Sequence, residues 1–282
     1  MTSVATISEA VKNAELTLEP HTESARLDAE LLLAALLGLS RSALIARGDE
    51  PVALDDEKAY AELIAKRAGG TPIAYLTGSR EFWSLPLKVS PAVLVPRPET
   101  EILVERVLEV LPREALCTVL DLGTGSGAIA LSLAHERPRW AITGVDISPA
   151  ALDIAAHNAK ILSLSNVRWR LGSWFDAVPS ERFHLIVANP PYIAAHDPAL
   201  AALRAEPAAA LIAGLDGMEA LRAIIGQAPG HLRARGWLAL EHGNTQAEDV
   251  ARLLDAQGFD SIRTYSDFSG RPRVTLGVHT QH

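Results

Sequence analysis

One cysteine stands among 282 residues, so the chain has no internal disulfide and no multi-cysteine zinc site. That residue lies in Cys117-Thr118-Val119-Leu120, where it reads as a small core side chain with no cationic neighbours to activate its thiol. Clustered positive charge is missing too. Against 34 Asp and Glu there are 26 Lys and Arg, a formal net charge of −8, and the basic residues come in ones and twos, as at Arg137 and Arg139 or Arg233 and Arg235. Proteins that grip a phosphate backbone ordinarily gather such residues, so no direct nucleic-acid binding is expected. Apolar stretches such as Leu31 to Leu37 fall short of the ~20 residues that cross a bilayer, and Met1-Thr2-Ser3 opens no basic, apolar, small-residue signal pattern. The expectation is a cytoplasmic monomer with no membrane association. Glu241-His242-Gly243 has no second histidine at ligand spacing, which favours a structural role and no metal.

What is present is a core. At 48% hydrophobic content the chain is long enough for two domains. Residues 1–80 have helical character: Arg26 to Leu37 is rich in helix formers and stops at Gly38, and Tyr60, Leu63, Ile64 and Arg67 recur at helical spacing before Gly69-Gly70-Thr71-Pro72. Residues 81–97 read as a β-hairpin linker, with Glu81 to Val89 and Ala92 to Val95 as short strands around a Ser90-Pro91 turn. Residues 98–282 open with Pro98 in the first turn of a helix from Glu99 to Leu111.

Strands then alternate with helices. Cys117–Asp121, Ala141–Asp146, Val167–Leu171, Phe183–Ala188 and Trp237–Glu241 are separated by helical segments including Ala128–His135 and Pro149–Leu162. Ser261–Tyr265 and Arg273–Val278 break the rhythm as a terminal hairpin. The fold class is therefore α/β: a mostly parallel, Rossmann-like seven-stranded sheet with an antiparallel end, preceded by a small helical bundle and a hairpin.

Two motifs carry the chemistry. Asp121-Leu122-Gly123-Thr124-Gly125-Ser126-Gly127 lies at the first strand-to-helix junction, where glycines allow a tight turn and close approach to a ligand. By itself the loop fits a nicotinamide dinucleotide as well as S-adenosylmethionine. Asp121 tips the balance, since a carboxylate at the loop suits a cationic cofactor and repels pyrophosphate. Asp146 ends the next strand where an acid takes ribose hydroxyls; helix capping is its alternative role, with Ser148 the better cap. The second motif, Asn189-Pro190-Pro191-Tyr192, follows the apolar strand Phe183–Ala188. Its prolines lack N–H donors and leave carbonyl acceptors beside the Asn189 side-chain oxygen, a set suited to a planar –NH2 group. Tyr192 either stacks on that group or closes the sheet end as a core aromatic. Together the motifs point to methylation of an amide or nucleobase amino group.

These motifs, with Tyr75 to Trp83, Pro96-Arg97-Pro98-Glu99-Thr100-Glu101 and Arg273-Val274-Thr275-Leu276-Gly277, resemble the HemK/PrmC family of release factor glutamine methyltransferases over nearly the whole chain. The resemblance implies methyl transfer from S-adenosylmethionine to the glutamine amide in the Gly-Gly-Gln loop of peptide chain release factors. It implies cofactor contacts at Asp121, Gly123, Thr124, Gly125, Ser126, Gly127, Asp146, Trp174 and Asn189. It further implies catalysis by Asn189, Pro190 and Tyr192, substrate contacts from Asn189 to Tyr192, and substrate recognition by residues 1–80. Ser173 stands where the family pattern has an acid, and Glu206-Pro207 is a shared element without a derivable role. Arg97, Glu99 and Glu101 fit either a pocket wall or an ion pair. The alternatives are a ribosomal-protein glutamine methyltransferase, a nucleobase amino-methyltransferase and a non-catalytic binding protein; the acidic charge argues against the nucleobase.

Overall fold

Local capping chemistry sets the first elements. In the computed structural model, which describes residues 5–280, Thr6 and Glu9 each accept the other's backbone N–H, a reciprocal cap that opens helix α1 (Ile7–Leu18). Met1, Thr2 and Ser3, which carry the signal-pattern expectation, lie outside the described residues. Helix α2 (Ala25–Leu37) ends as expected at Gly38, whose φ of 66° is the left-handed conformation that suits glycine. Helices α3 (Arg41–Ala46), α4 (Leu54–Ala68) and the short α5 (Ile73–Thr77) follow. Leu18, Leu32, Leu33, Leu44, Tyr60 and Ile64 form their shared core. Two acids of α2 are buried with them: Asp28 accepts from Arg67 Nε at 2.7 Å, and Glu30 from Arg26 and Arg41 at 3.0 and 2.6 Å. Each charge is thus matched where an unpaired one would be costly.

The chain divides into compact units between Ser79 and Arg80. At the start of the second, strands β1 (Ser79–Phe82) and β2 (Leu85–Lys88) pair as a separate hairpin. Its turn is Trp83-Ser84, at φ 53° and 58°, rather than the expected Ser90-Pro91. Two consecutive positive φ values give the twist that a two-residue hairpin demands. Long-range bonds hold it there: the Trp83 N–H donates to Glu101 at 2.8 Å and its indole Nε1 to Glu136 at 3.0 Å. Ser90-Pro91 does form a turn, Val93 N–H to Ser90 O at 3.1 Å, but residues 92–95 are not a strand.

Helix α6 (Thr100–Val110) begins one residue later than the sequence indicates, after a 3₁₀ turn in which Thr100 N–H bonds Arg97 O. The large sheet then runs β3 (Thr118–Leu122), β4 (Ala141–Asp146), β5 (Val167–Leu171), β6 (Phe183–Ala188), β7 (Leu232–Glu241), β8 (Phe259–Ser266) and β9 (Pro272–His279). Its order is β5-β4-β3-β6-β7-β9-β8, parallel through β7 and antiparallel at β9 and β8. Alternation along the strands fills both faces. Val119, Leu185, Val187 and Ala239 face a core shared with α6 and helix α7 (Ala128–Glu136). Leu120, Leu122, Ile186 and Leu240 face one shared with helices α9 (Glu219–His231) and α10 (Ala247–Ala256). Helix α8 (Pro149–Ile161) starts at Pro149, capped by Ser148, whose side chain accepts from Ala151 N–H. No described helix is long and apolar enough to cross a membrane.

The hairpin turn yields a stability test. Ser84→Val forces a β-branched residue into the left-handed region and is expected to cost about 1–2 kcal/mol in urea unfolding, whereas Ser84→Gly is neutral or stabilising by up to about 1 kcal/mol. Equal effects of the two substitutions would contradict the Trp83-Ser84 turn.

Candidate active site

Strand register does the first part of the positioning. Asp121 lies opposite Val187 and Leu122 opposite Ala188, so residues 123–127 and 189–192 leave neighbouring strand ends at one level. From there β3 leads to β4 on one side and β6 to β7 on the other, the switch point at which open α/β sheets hold ligands. A cavity of about 440 Å³ occupies it. Another, of about 510 Å³, lies by Arg182, Leu232 and His279, and neither the glycine loop nor Asn189 borders it.

Gly123, Thr124, Gly125, Ser126, Asp146, Trp174, Asn189 and Pro191 share the walls of the switch-point cavity. Gly123 and Gly125 take φ of 72° and 55°; a Cβ on Gly123 would stand 3.6 Å from Trp174, filling the cradle between loop and indole. Asp146 holds the loop from below: its Oδ2 accepts from Gly125 N–H and its Oδ1 from Ser148 N–H, each at 2.9 Å. One lone-pair site on each oxygen is left for a ligand. Capping of α8 falls to Ser148.

Four expected residues are placed differently. Asp121 is fully buried beneath the loop and is not part of the wall. Its Oδ2 accepts from the Thr124 hydroxyl at 2.5 Å and from Ala130 N–H at 3.2 Å, while Oδ1 has no partner. It braces the loop rather than lending charge to the cavity mouth. Burial raises its carboxyl to about 7 despite those two donors, with the Asp146 charge adding to the rise. Gly127, at φ 82°, leads into α7, and a Cβ there would meet Leu131 and Trp169 at 3.0 and 3.1 Å; its need for glycine comes from its left-handed backbone and from packing. Pro190 is buried and outside the wall. Tyr192 packs against the core under α9 and donates its hydroxyl to Glu241 at 3.4 Å. The sheet-closing role therefore describes Tyr192, because its hydroxyl finds a carboxylate only by turning inward.

Asn189 is oriented by α6: its Nδ2 donates to Thr100 Oγ at 3.1 Å. No described residue donates to the Asn189 side-chain oxygen or to the Pro190 carbonyl. Glu206 also acquires a place, accepting from Val95 N–H at 3.0 Å and from the Arg97 guanidinium. That pair ties the segment before α6 to Pro207, both in the cavity wall. Glu101 serves the hairpin through Trp83. His242 is buried, its ring nitrogens bonded to Gly243 O and Thr275 Oγ1 at 2.9 and 2.8 Å, the structural role expected. Sequence reasoning missed Thr100, Ile147 and Glu241. The first sits inside Pro96–Glu101, where flanking charges draw the eye, and the last was read only through its neighbour His242.

Comparison with known proteins fits this geometry. Residues 9–78 match the PrmC N-terminal domain and residues 113–260 a methyltransferase domain. A release factor glutamine methyltransferase of Pseudomonas aeruginosa is 47% identical over 98% of this chain and 99% of its own; that of Xylella fastidiosa (strain Temecula1) is 49% identical over 89% and 92%. The chain belongs to the release factor glutamine methyltransferase family. An Escherichia coli member is 44% identical over 92% of this chain and 94% of its own. Among solved structures, a methyltransferase from Pyrococcus furiosus aligns with a TM-score of 0.55 at 16% identity, covering 79% of this chain and 100% of its own. A Thermus thermophilus 16S rRNA N2 G1207 methyltransferase in complex with AdoMet and guanosine aligns at 0.55 and 21% identity, covering 71% and 49%. Both share the fold.

The buried Asp121 gives a pH test. Its carboxyl titrates near 7 in the fold and near the ordinary 3.8 when unfolded, so the native state retains a proton that the unfolded chain has lost in between. The Asp121 contribution to stability falls as pH rises from about 4 to 7 and levels off above; Glu241, also raised to about 7, acts with the same sign. Asp121→Asn is expected to make the slope of urea-unfolding stability across that window less negative than that of the wild type; an equal slope would contradict the assignment.

Proposed function

We propose that this enzyme methylates the side-chain amide nitrogen of glutamine in the Gly-Gly-Gln loop of peptide chain release factors, with S-adenosylmethionine as methyl donor. The observation that carries the reading is Asn189: its side-chain carbonyl oxygen takes no bond from the described residues, and it borders the cavity beside the glycine loop. The names of its family relatives support the substrate.

The residues present fit the cofactor. Asp146 has acceptor capacity left for a vicinal diol, Trp174 and Ile147 offer apolar surface to a base, and the Gly123 backbone leaves room between them. Ser173 also lines the wall and offers one neutral hydrogen-bonding group to the base in place of an acid. When bound, S-adenosylmethionine supplies an electrophilic methyl group on a sulfonium.

The protein's part is orientation. A glutamine amide is a weak nucleophile because its lone pair is delocalised, and no wall residue stands out as a base. The Asn189 side-chain oxygen accepts one of its N–H groups at the cavity wall, and the carbonyl of Pro190, a buried neighbour behind that wall with no donor among the described residues, accepts the other as the amide seats against it. This aims the nitrogen lone pair and stabilises the positive charge that develops there. Orientation contributes up to about 7–11 kcal/mol in favourable intramolecular cases and a single aimed dipole roughly 3–4 kcal/mol. Those acceptors hold the product N–H protons until one passes to water. The helical unit, residues 1–80, reads the protein partner, since a tripeptide is too small to identify one.

Labelled S-adenosylmethionine with a bacterial release factor is expected to mark the Gly-Gly-Gln glutamine. Asn189→Ala is expected to reduce transfer by at least about 100-fold while much cofactor affinity survives. Label appearing only on RNA, DNA or a ribosomal protein would overturn the substrate, and equal transfer by Asn189→Ala would overturn the mechanism.

A further inference from the structure

An asparagine side chain is nearly symmetric in shape, so packing alone does not settle whether its oxygen or its NH2 faces a ligand. At Asn189 that choice decides everything, because a flipped amide would set donor hydrogens against the donor hydrogens of the substrate. The only side-chain bond that Asn189 makes among the described residues is Nδ2 to Thr100 Oγ at 3.1 Å. A hydroxyl can donate as well as accept, however, and fixes the amide only if its own proton is engaged elsewhere.

Glu241 engages it. The Glu241 carboxyl, at the end of β7, is 1% exposed, and its Oε2 is a buried acceptor with no close partner. Thr100, 4% exposed in the first turn of α6, is close enough for its hydroxyl to lower the titration of this acid, although burial raises the carboxyl overall to about 7. A buried acceptor in need of a donor favours a hydroxyl that can turn its proton toward it. Tyr192 donates to the other oxygen, Oε1, at 3.4 Å, so this carboxyl already holds the tyrosine end of Asn189-Pro190-Pro191-Tyr192.

We infer that Thr100 is a positioning residue for methyl transfer: with its proton directed to Glu241, its oxygen accepts from Asn189 Nδ2 and holds the asparagine carbonyl toward the substrate nitrogen. This rests on the role given to Asn189 above. Thr100 touches no reacting atom and acts through Asn189.

The test separates orientation from packing. Thr100→Val keeps the side-chain shape and removes the hydroxyl; kcat for release factor methylation is expected to fall on the order of 30–100-fold. Cofactor affinity and the KM for release factor are expected to change by less than about threefold. Thr100→Ser, which restores the hydroxyl, recovers most of the loss. Thr100→Ala is the second hydroxyl-free variant and is expected to lose as much as Val should Val disturb folding. Wild-type kcat in Thr100→Val or Thr100→Ala, or a Ser variant no better than they are, would overturn this inference alone. Failure of the wild-type protein to transfer methyl to a release factor would overturn the reading of function, and this inference with it.

Discussion

The parallel register of β3 against β6 governs everything at this site. Pairing of Leu122 with Ala188 brings Gly123 and Asn189 to the same height on adjacent strand ends. Because the two strands then lead in opposite directions across the sheet, their loops part and leave a crevice between them. A slip of one residue would turn Leu120 and Leu122 from the core under α9 to the opposite face. The apolar alternation that fills both cores therefore also fixes the distance between the glycine loop and the amide-binding motif. Folding and site assembly are one event here.

Acids away from the solvent then hold the loops. Asp121 braces the glycine loop through Thr124 and Ala130, Asp146 ties it to the start of α8, and Glu206 joins the Val95–Arg97 segment to the far wall. Glu241, at the end of β7, holds the Tyr192 hydroxyl. Their bonds come from backbone N–H groups and from the side chains of Thr124, Arg97 and Tyr192. Loop atoms fixed in this way lose little further freedom when a ligand arrives, which is the condition for orientation to contribute to rate. The two raised carboxyls, Asp121 and Glu241, are those with an unpartnered buried oxygen, as burial without full satisfaction requires.

Much of this was legible in the sequence because its signals are local. Strands β4, β5 and β6 fall where apolar runs and turn residues place them, and Gly38 ends α2 where the pattern breaks. The glycine loop and the asparagine-proline motif announced the cavity, since both depend on backbone chemistry written in adjacent residues. What was not legible depends on contacts distant in the chain. The hairpin turns at Trp83-Ser84 because Glu101 and Glu136 take the Trp83 donors. Tyr192 faces inward because an acid 49 positions away accepts its hydroxyl, and Asp121 is a brace because the strand carrying it is covered on both faces. Residue type announces a carboxylate but not the direction in which it points.

The central claim is that two oxygens, one from the Asn189 side chain and one from the Pro190 backbone, grip a glutamine amide at the cavity. It is tested most directly by a crystal structure with S-adenosylhomocysteine and a Gly-Gly-Gln peptide bound. The account predicts the glutamine nitrogen within about 3 Å of both oxygens. A glutamine seated elsewhere, or an Asn189 amide turned with its NH2 toward the peptide, would contradict it.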